Sequence, residues 1–135
     1  MLTLASNDFM KRYVQESDPV MRADLLEVVD MMALIAPEAE LVSNVGIPCF
    51  QLNGNWLYGV AARSDHLCVY FSDLSVIYSF ADRLPHVQFG DDCLIIYQLE
   101  DINLNVLVEL FGQIKVHFLL NNRKPSELIQ KNILA

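Results

Sequence analysis

The dipeptide Asn53-Gly54 constrains the fold of this chain more than any other feature. It stands between two apolar runs, "IPCFQL" and "NWLYGVAA". A type I′ turn needs positive φ at both central residues, which Asn and Gly tolerate, and its twist matches that of paired strands. The segment therefore reads as an antiparallel hairpin. Ser64-Asp65 offers a second tight turn before "HLCVYF". From Leu41 the apolar period becomes two, and the expected strands are Ile47–Leu52, Asn55–Arg63 and His66–Phe71.

Two-residue turns at both places fix the register. Phe50 then faces Leu57, Gly59 faces Tyr70, Ala61 faces Cys68, and Arg63 faces His66, all on one side of the sheet. The other side carries Trp56, Tyr58, Val60, Ala62, Leu67, Val69 and Phe71. That side is the more continuously apolar and is expected to receive the helices. The first side sets small residues between aromatic and polar ones and reads as a shallow pocket.

Helical signals flank this meander. Ser6 or Asn7 caps a first short helix, Asn7–Glu16. Asp18 before Pro19 opens a second, expected to end before Pro37, because Asp serves as N-cap and Pro fits the first helical position. Met21, Leu25, Val28, Met32 and Ile35 form its apolar stripe. Met31 and Leu34 lie on the acidic side and hint at a second covered face. Ser72 or Asp73 caps a helix to about Leu84, stopped by Pro85. A fourth strand spans Cys93–Leu99, and Asn103 caps a long final helix striped by Leu107, Leu110, Phe111, Ile114 and Phe118. Residues 125–133 read as a restarted short helix. The class is α+β, an antiparallel meander with helices packed on one face. The 135 residues suit a single domain, with no repeat or linker between parts.

The chain is 53% hydrophobic, yet no run reaches the roughly 18 apolar residues a membrane span needs. The apolar surplus belongs in a core, a pocket or a subunit contact. A net charge of −8 and a pI near 4.6 argue against nucleic acid and against an anionic membrane surface. The N-terminus does not read as a signal peptide, and the three cysteines, widely spaced and odd in number, fit reduced thiols in a cytoplasm.

Several pieces together, "IPCF", "NGNWLYGVAARSDHLCVYF", "VIYSFADRL", Gly90 and "DINLNVLVEL", resemble the bacterial YdhG-like family. These are small domains of unknown function, some described as frataxin-like intracellular iron chaperones. The likeness runs in order from Pro19 to Lys115, with Pro48, Phe50, Ala61, Ala62, His66 and Tyr70 or Phe71 at pattern positions. It implies an antiparallel α+β domain, no established reaction, and iron as the candidate cofactor. Ser64 stands where members often carry Lys, and Val45 where they often carry Tyr.

Three constellations are candidates for chemistry. Arg63 and His66 across a turn, with Tyr70 and Phe50 as walls, suit a polar or anionic small molecule. His66-x-Cys68 has the spacing of two metal ligands on one strand face, with His86, Cys93, Asp91 and Asp92 as further donors. Asp24, Glu27 and Asp30 form the iron-binding helical surface that the frataxin-like description suggests, although a spacing of three drifts around a helix rather than converging. Cys49 follows Pro48 within a strand, away from any helix N-terminus that would stabilise a thiolate. No G-x-S-x-G, P-loop or H-E-x-x-H motif occurs. The expectation is a non-enzymatic binding or accessory protein. An enzyme-like pocket built on Arg63, His66 and Tyr70 is one alternative. The other is an interaction module, possible as a homodimer, using Met31, Leu34 and the apolar end of the last helix around Phe118.

Overall fold

The computed structural model describes residues 7–73 and 75–121. The Asn53-Gly54 turn forms as expected, with φ of 56° and 83° at its two residues. It joins β2 (Ile47–Leu52) to β3 (Asn55–Ala62), and Ser64-Asp65 joins β3 to β4 (Leu67–Phe71). Two strands were not anticipated. An edge strand, β1 (Glu40–Asn44), pairs with β2 through a turn at Val45-Gly46, where φ is 48° and 82°. A β-branched residue rarely adopts that conformation, so no turn signal marked the strand. Two-residue β5 (Gln88–Phe89) lies beyond β6 (Cys93–Ile96). The sheet order is β1-β2-β3-β4-β6-β5, antiparallel throughout.

The helices are α1 (Asp8–Glu16), α2 (Arg22–Ile35), the single turn α3 (Ser75–Tyr78) and α4 (Leu104–Asn121). Capping follows the sequence. Asn7 accepts from the Met10 amide, Asp18 from Val20, Asp73 from Ser75, and Asn103 from Asn105. Pro19 opens a 3₁₀ turn that runs into α2. The helix expected up to Leu84 is instead α3 followed by a separate 3₁₀ turn, Ala81–Arg83, which Arg83 ties to Glu109 of α4. The restarted helix expected at 125–133 lies outside the described residues. Among the described residues, no helix is long and apolar enough to cross a membrane.

One sheet face packs against the helices in a continuous core. Leu25, Val28 and Met32 of α2 and Leu107, Leu110, Phe111 and Ile114 of α4 meet Tyr58, Val60, Val69 and Phe71, all at most 3% exposed. Tyr58 sits at the centre, edge-on to Phe50 and Phe71, its hydroxyl donating to the Phe111 carbonyl of α4. Of the two α2 residues on the acidic side, Met31 joins this core while Leu34 is 75% exposed.

The register holds for β3 and β4, with Gly59 opposite Tyr70 and Ala61 opposite Cys68. It fails between β2 and β3. A β-bulge makes Gln51 pair with Trp56 but Phe50 with Tyr58, leaving Leu57 as the extra residue. A bulge changes side-chain parity beyond it. Leu57 and Tyr58 are thereby both fully buried, and Trp56, expected under the helices, is 38% exposed. Phe50, expected on the pocket side, turns into the helix-covered core instead.

Candidate functional site

The second sheet face carries its own small cluster: Ala61, Cys68 and Cys93 are buried, with Ile47, Tyr70 and Ile95 packed around them. Among the described residues, no helix residue belongs to that cluster. Its floor is set by alternation along the strands. Gly59 and Ala61 on β3 stand beside Tyr70 and Cys68 on β4, which stand beside Cys93 and Ile95 on β6. Gly59 is small for a reason, since a Cβ there would lie 3.1 Å from the Cys49 sulfur.

Arg63 leaves the end of β3 and reaches back over this floor. Its Nη2 meets the Tyr70 hydroxyl at 3.5 Å, and its guanidinium lies beside Cys68. These contacts, Tyr70 first, hold the guanidinium more firmly protonated than usual. Burial raises the Tyr70 phenol, and the Arg63 hydrogen bond opposes that rise. Among the described residues, no carboxylate lies within ion-pair distance of Arg63; the three ion pairs involve His66, Arg83 and Lys115. His66 stands across the turn, where the Arg63 amide donates to its carbonyl at 2.8 Å. Its Nδ1 lies 2.6 Å from the Asp65 carboxylate, and its ring packs on Tyr97 at 5.6 Å between centroids. Tyr97 in turn donates to Gln88 at 3.1 Å.

The structure therefore brings Arg63, His66 and Tyr70 to one surface and removes Phe50 from it. Tyr97 and Ile95 were not foreseen, because β6 had no register against β4 in the sequence reading. The alternation Cys93, Ile95, Tyr97 was the available signal.

Arg63 also lines an open groove of about 600 Å³ beside this face. The groove runs between the α1–α2 elbow and the two hairpin turns, past Tyr13, Ser17, Arg22 and Ser64. The elbow is firmly built: Arg22 donates to the carbonyls of Val14, Gln15 and Ser17, closing the C-terminus of α1, which has no basic residue of its own there. The Tyr13 hydroxyl accepts from the Ala62 amide at 3.0 Å and fixes the groove's floor to β3.

The acidic residues of α2 do not converge. Asp24 accepts from the Leu99 amide at 3.0 Å, whereas Glu27 and Asp30 are exposed. Among the described residues, no group of three or more His, Cys, Asp or Glu side chains is placed to hold a metal. Of the donors considered with His66 and Cys68, Cys93 is the one brought beside Cys68. All three cysteines are free, and burial raises the thiols of Cys49 and Cys93, the latter to about 12. Neither is an activated nucleophile at neutral pH.

Among solved structures, this arrangement matches YdhG of Bacillus subtilis, a protein from the DUF1801 family. The TM-score is 0.70, over 88% of this chain and 94% of that one, at 18% identity. The chain has the YdhG fold. The match concerns the backbone arrangement, and the iron and frataxin-like readings gain nothing from it. No family model and no curated protein matches the sequence.

Proposed function

We propose that this chain is a binding or accessory protein that holds a small anionic molecule on the uncovered face of its sheet, without transforming it. The observation that carries this is Arg63. In a chain of net charge −8, its guanidinium is laid over an apolar floor and anchored to a tyrosine and a thiol instead of a carboxylate. Arg63 is exposed, and its guanidinium presents a planar fork that suits a carboxylate or phosphate. Tyr70 on one side and the His66–Tyr97 ring pair on the other supply walls, and the adjoining groove gives the bulk of a ligand somewhere to lie. Non-catalytic binding is favoured because burial raises the Cys49 and Cys93 thiols and His66 is directed to Asp65. The residues quoted for the YdhG-like resemblance, together with the shared fold, support grouping the chain with those proteins.

The test is amide chemical-shift mapping with inorganic phosphate, citrate and benzoate as probes. Saturable shifts at Gly59, Arg63, His66 and Tyr70 are expected with at least one probe. They should weaken at least tenfold in Arg63→Ala and less in Arg63→Lys. Binding that survives Arg63→Ala unchanged, or shifts confined to other surfaces, would overturn the reading.

A further inference from the structure

An anion site on Arg63 leaves the cysteines without a role. The three thiols are not equivalent. Cys49 lies on β2, two strands from β4, against Gly59 and beside Asn44. Cys68 and Cys93 occupy neighbouring strands. The ladder sets Cys68 beside Ile95 and Tyr70 beside Cys93, so the two cysteines are diagonal neighbours on one face. Both side chains pack in the same buried cluster, both residues are 8% exposed, and the Arg63 guanidinium lies beside Cys68.

Two thiols set diagonally on one sheet face, within one buried cluster, make a candidate ligand pair. A structural zinc site takes four ligands. Asp92 lies beside Cys93, but among the described residues no group of three or more His, Cys, Asp or Glu side chains is placed to hold a metal. Thiolate sulfur suits Cu(I), zinc and iron–sulfur clusters, and of these Cu(I) is the soft ion content with two thiolates. We propose that Cys68 and Cys93 form a two-coordinate site for a soft monovalent cation, Cu(I) in particular. On binding, each S–H bond is replaced by a Cu–S bond and two protons leave to solvent. Copper enters and stays as Cu(I), so no electron is transferred. The bis-thiolate complex carries one negative charge, and Arg63 lies where it offsets that charge.

The experiment titrates reduced protein anaerobically with the Cu(I)–bicinchoninate complex. The wild-type chain is expected to withdraw one equivalent of Cu(I). Cys68→Ser and Cys93→Ser should each weaken binding at least a hundredfold, and Cys49→Ser should leave it within threefold. Wild-type protein loaded with Cu(I) should show two sulfur neighbours by X-ray absorption, a readout that needs no variant to fold. Copper left with bicinchoninate, equal loss in Cys49→Ser, or a first shell of nitrogen and oxygen would each overturn the proposal. Cys93→Ser separates it from the anion site, since that change should remove Cu(I) binding while leaving the probe-anion shifts at Arg63 within threefold.

Discussion

Replacing Tyr58 by Phe tests the centre of the fold and a pH dependence built into it. The ring is fully buried among Phe50, Phe71 and Phe111, and the change keeps that packing. It removes only the hydroxyl that donates to the Phe111 carbonyl and joins β3 to α4. A buried hydrogen bond of this kind contributes about 1–1.5 kcal/mol, so Tyr58→Phe should be destabilised by about that much near neutral pH. Burial, and secondarily the charge of Glu38, pushes the Tyr58 phenol well above the usual value of 10. Its folded pKa thus exceeds its unfolded one. Above pH 10 the unfolded chain gives up this proton while the folded chain keeps it, so wild-type stability falls as pH rises. One such group costs about 1.4 kcal/mol per pH unit in that window. The two chains should therefore differ by about 1–1.5 kcal/mol at pH 8 and converge near pH 11. Urea titrations of both proteins at pH 8, 10 and 11 measure this, and groups common to both cancel in the difference. A gap as wide at pH 11 as at pH 8 would refute a buried, neutral Tyr58.

Three further outcomes follow from the packing. Val45 is 91% exposed with φ of 48°, so Val45→Asn should relieve left-handed strain and raise stability by about 1 kcal/mol; a loss would mean that the turn is not as described. Asp24→Ala should cost about 1–2 kcal/mol because the Leu99 amide loses its acceptor, while Glu27→Gln and Asp30→Asn stay within about 0.5 kcal/mol; three equally small effects in urea would return Asp24 to an ordinary solvated face. Phe118 is 2% exposed and Leu119 41% exposed, so Phe118→Ala should cost about 3–5 kcal/mol by thermal unfolding and Leu119→Ala under about 1; the reverse order would show the last turns of α4 to be rotated.

That last contrast changes how self-association has to be tested. Phe118 looked like an interface residue because the end of α4 is apolar on nearly every side. The structure commits it to the core and leaves Val116, Leu119 and Leu120 exposed. A charge at Phe118 would unfold the chain rather than separate subunits, so the informative variant is Leu119→Glu, followed by light scattering.

The sheet was legible where local chemistry and long-range pairing agree. Asn53-Gly54 and the alternation through "GVAA" and "LCVYF" carried the β3–β4 register to its correct partners. Legibility ended where a residue acts against type. Val45 sits in a conformation that side chains of its kind avoid, and its strand, β1, went unseen. The unbroken run Trp56-Leu57-Tyr58 has no alternation to follow, and there the bulge lies.

The same bulge decides the composition of the site. Without it, Phe50 would stand on the uncovered face beside Gly59, and an aromatic wall would narrow the floor from the β2 side. With it, Cys49 holds that place opposite Gly59, and Phe50 goes to the core to meet Tyr58 edge-on. The floor is then open toward β2 and walled toward β6, where Tyr97 and His66 stand. Arg63 is the element that sequence and structure agree on. Its place one residue beyond β3 follows from a two-residue turn, which the Arg63 amide closes onto the His66 carbonyl. Its orientation did not follow, because nothing in the local sequence says that a turn arginine in an acidic chain will fold back over a cysteine and a tyrosine rather than pair with Asp65. Asp65 is held by His66 instead. That leaves the Arg63 charge directed at the sheet face, where the proposed anion would meet it.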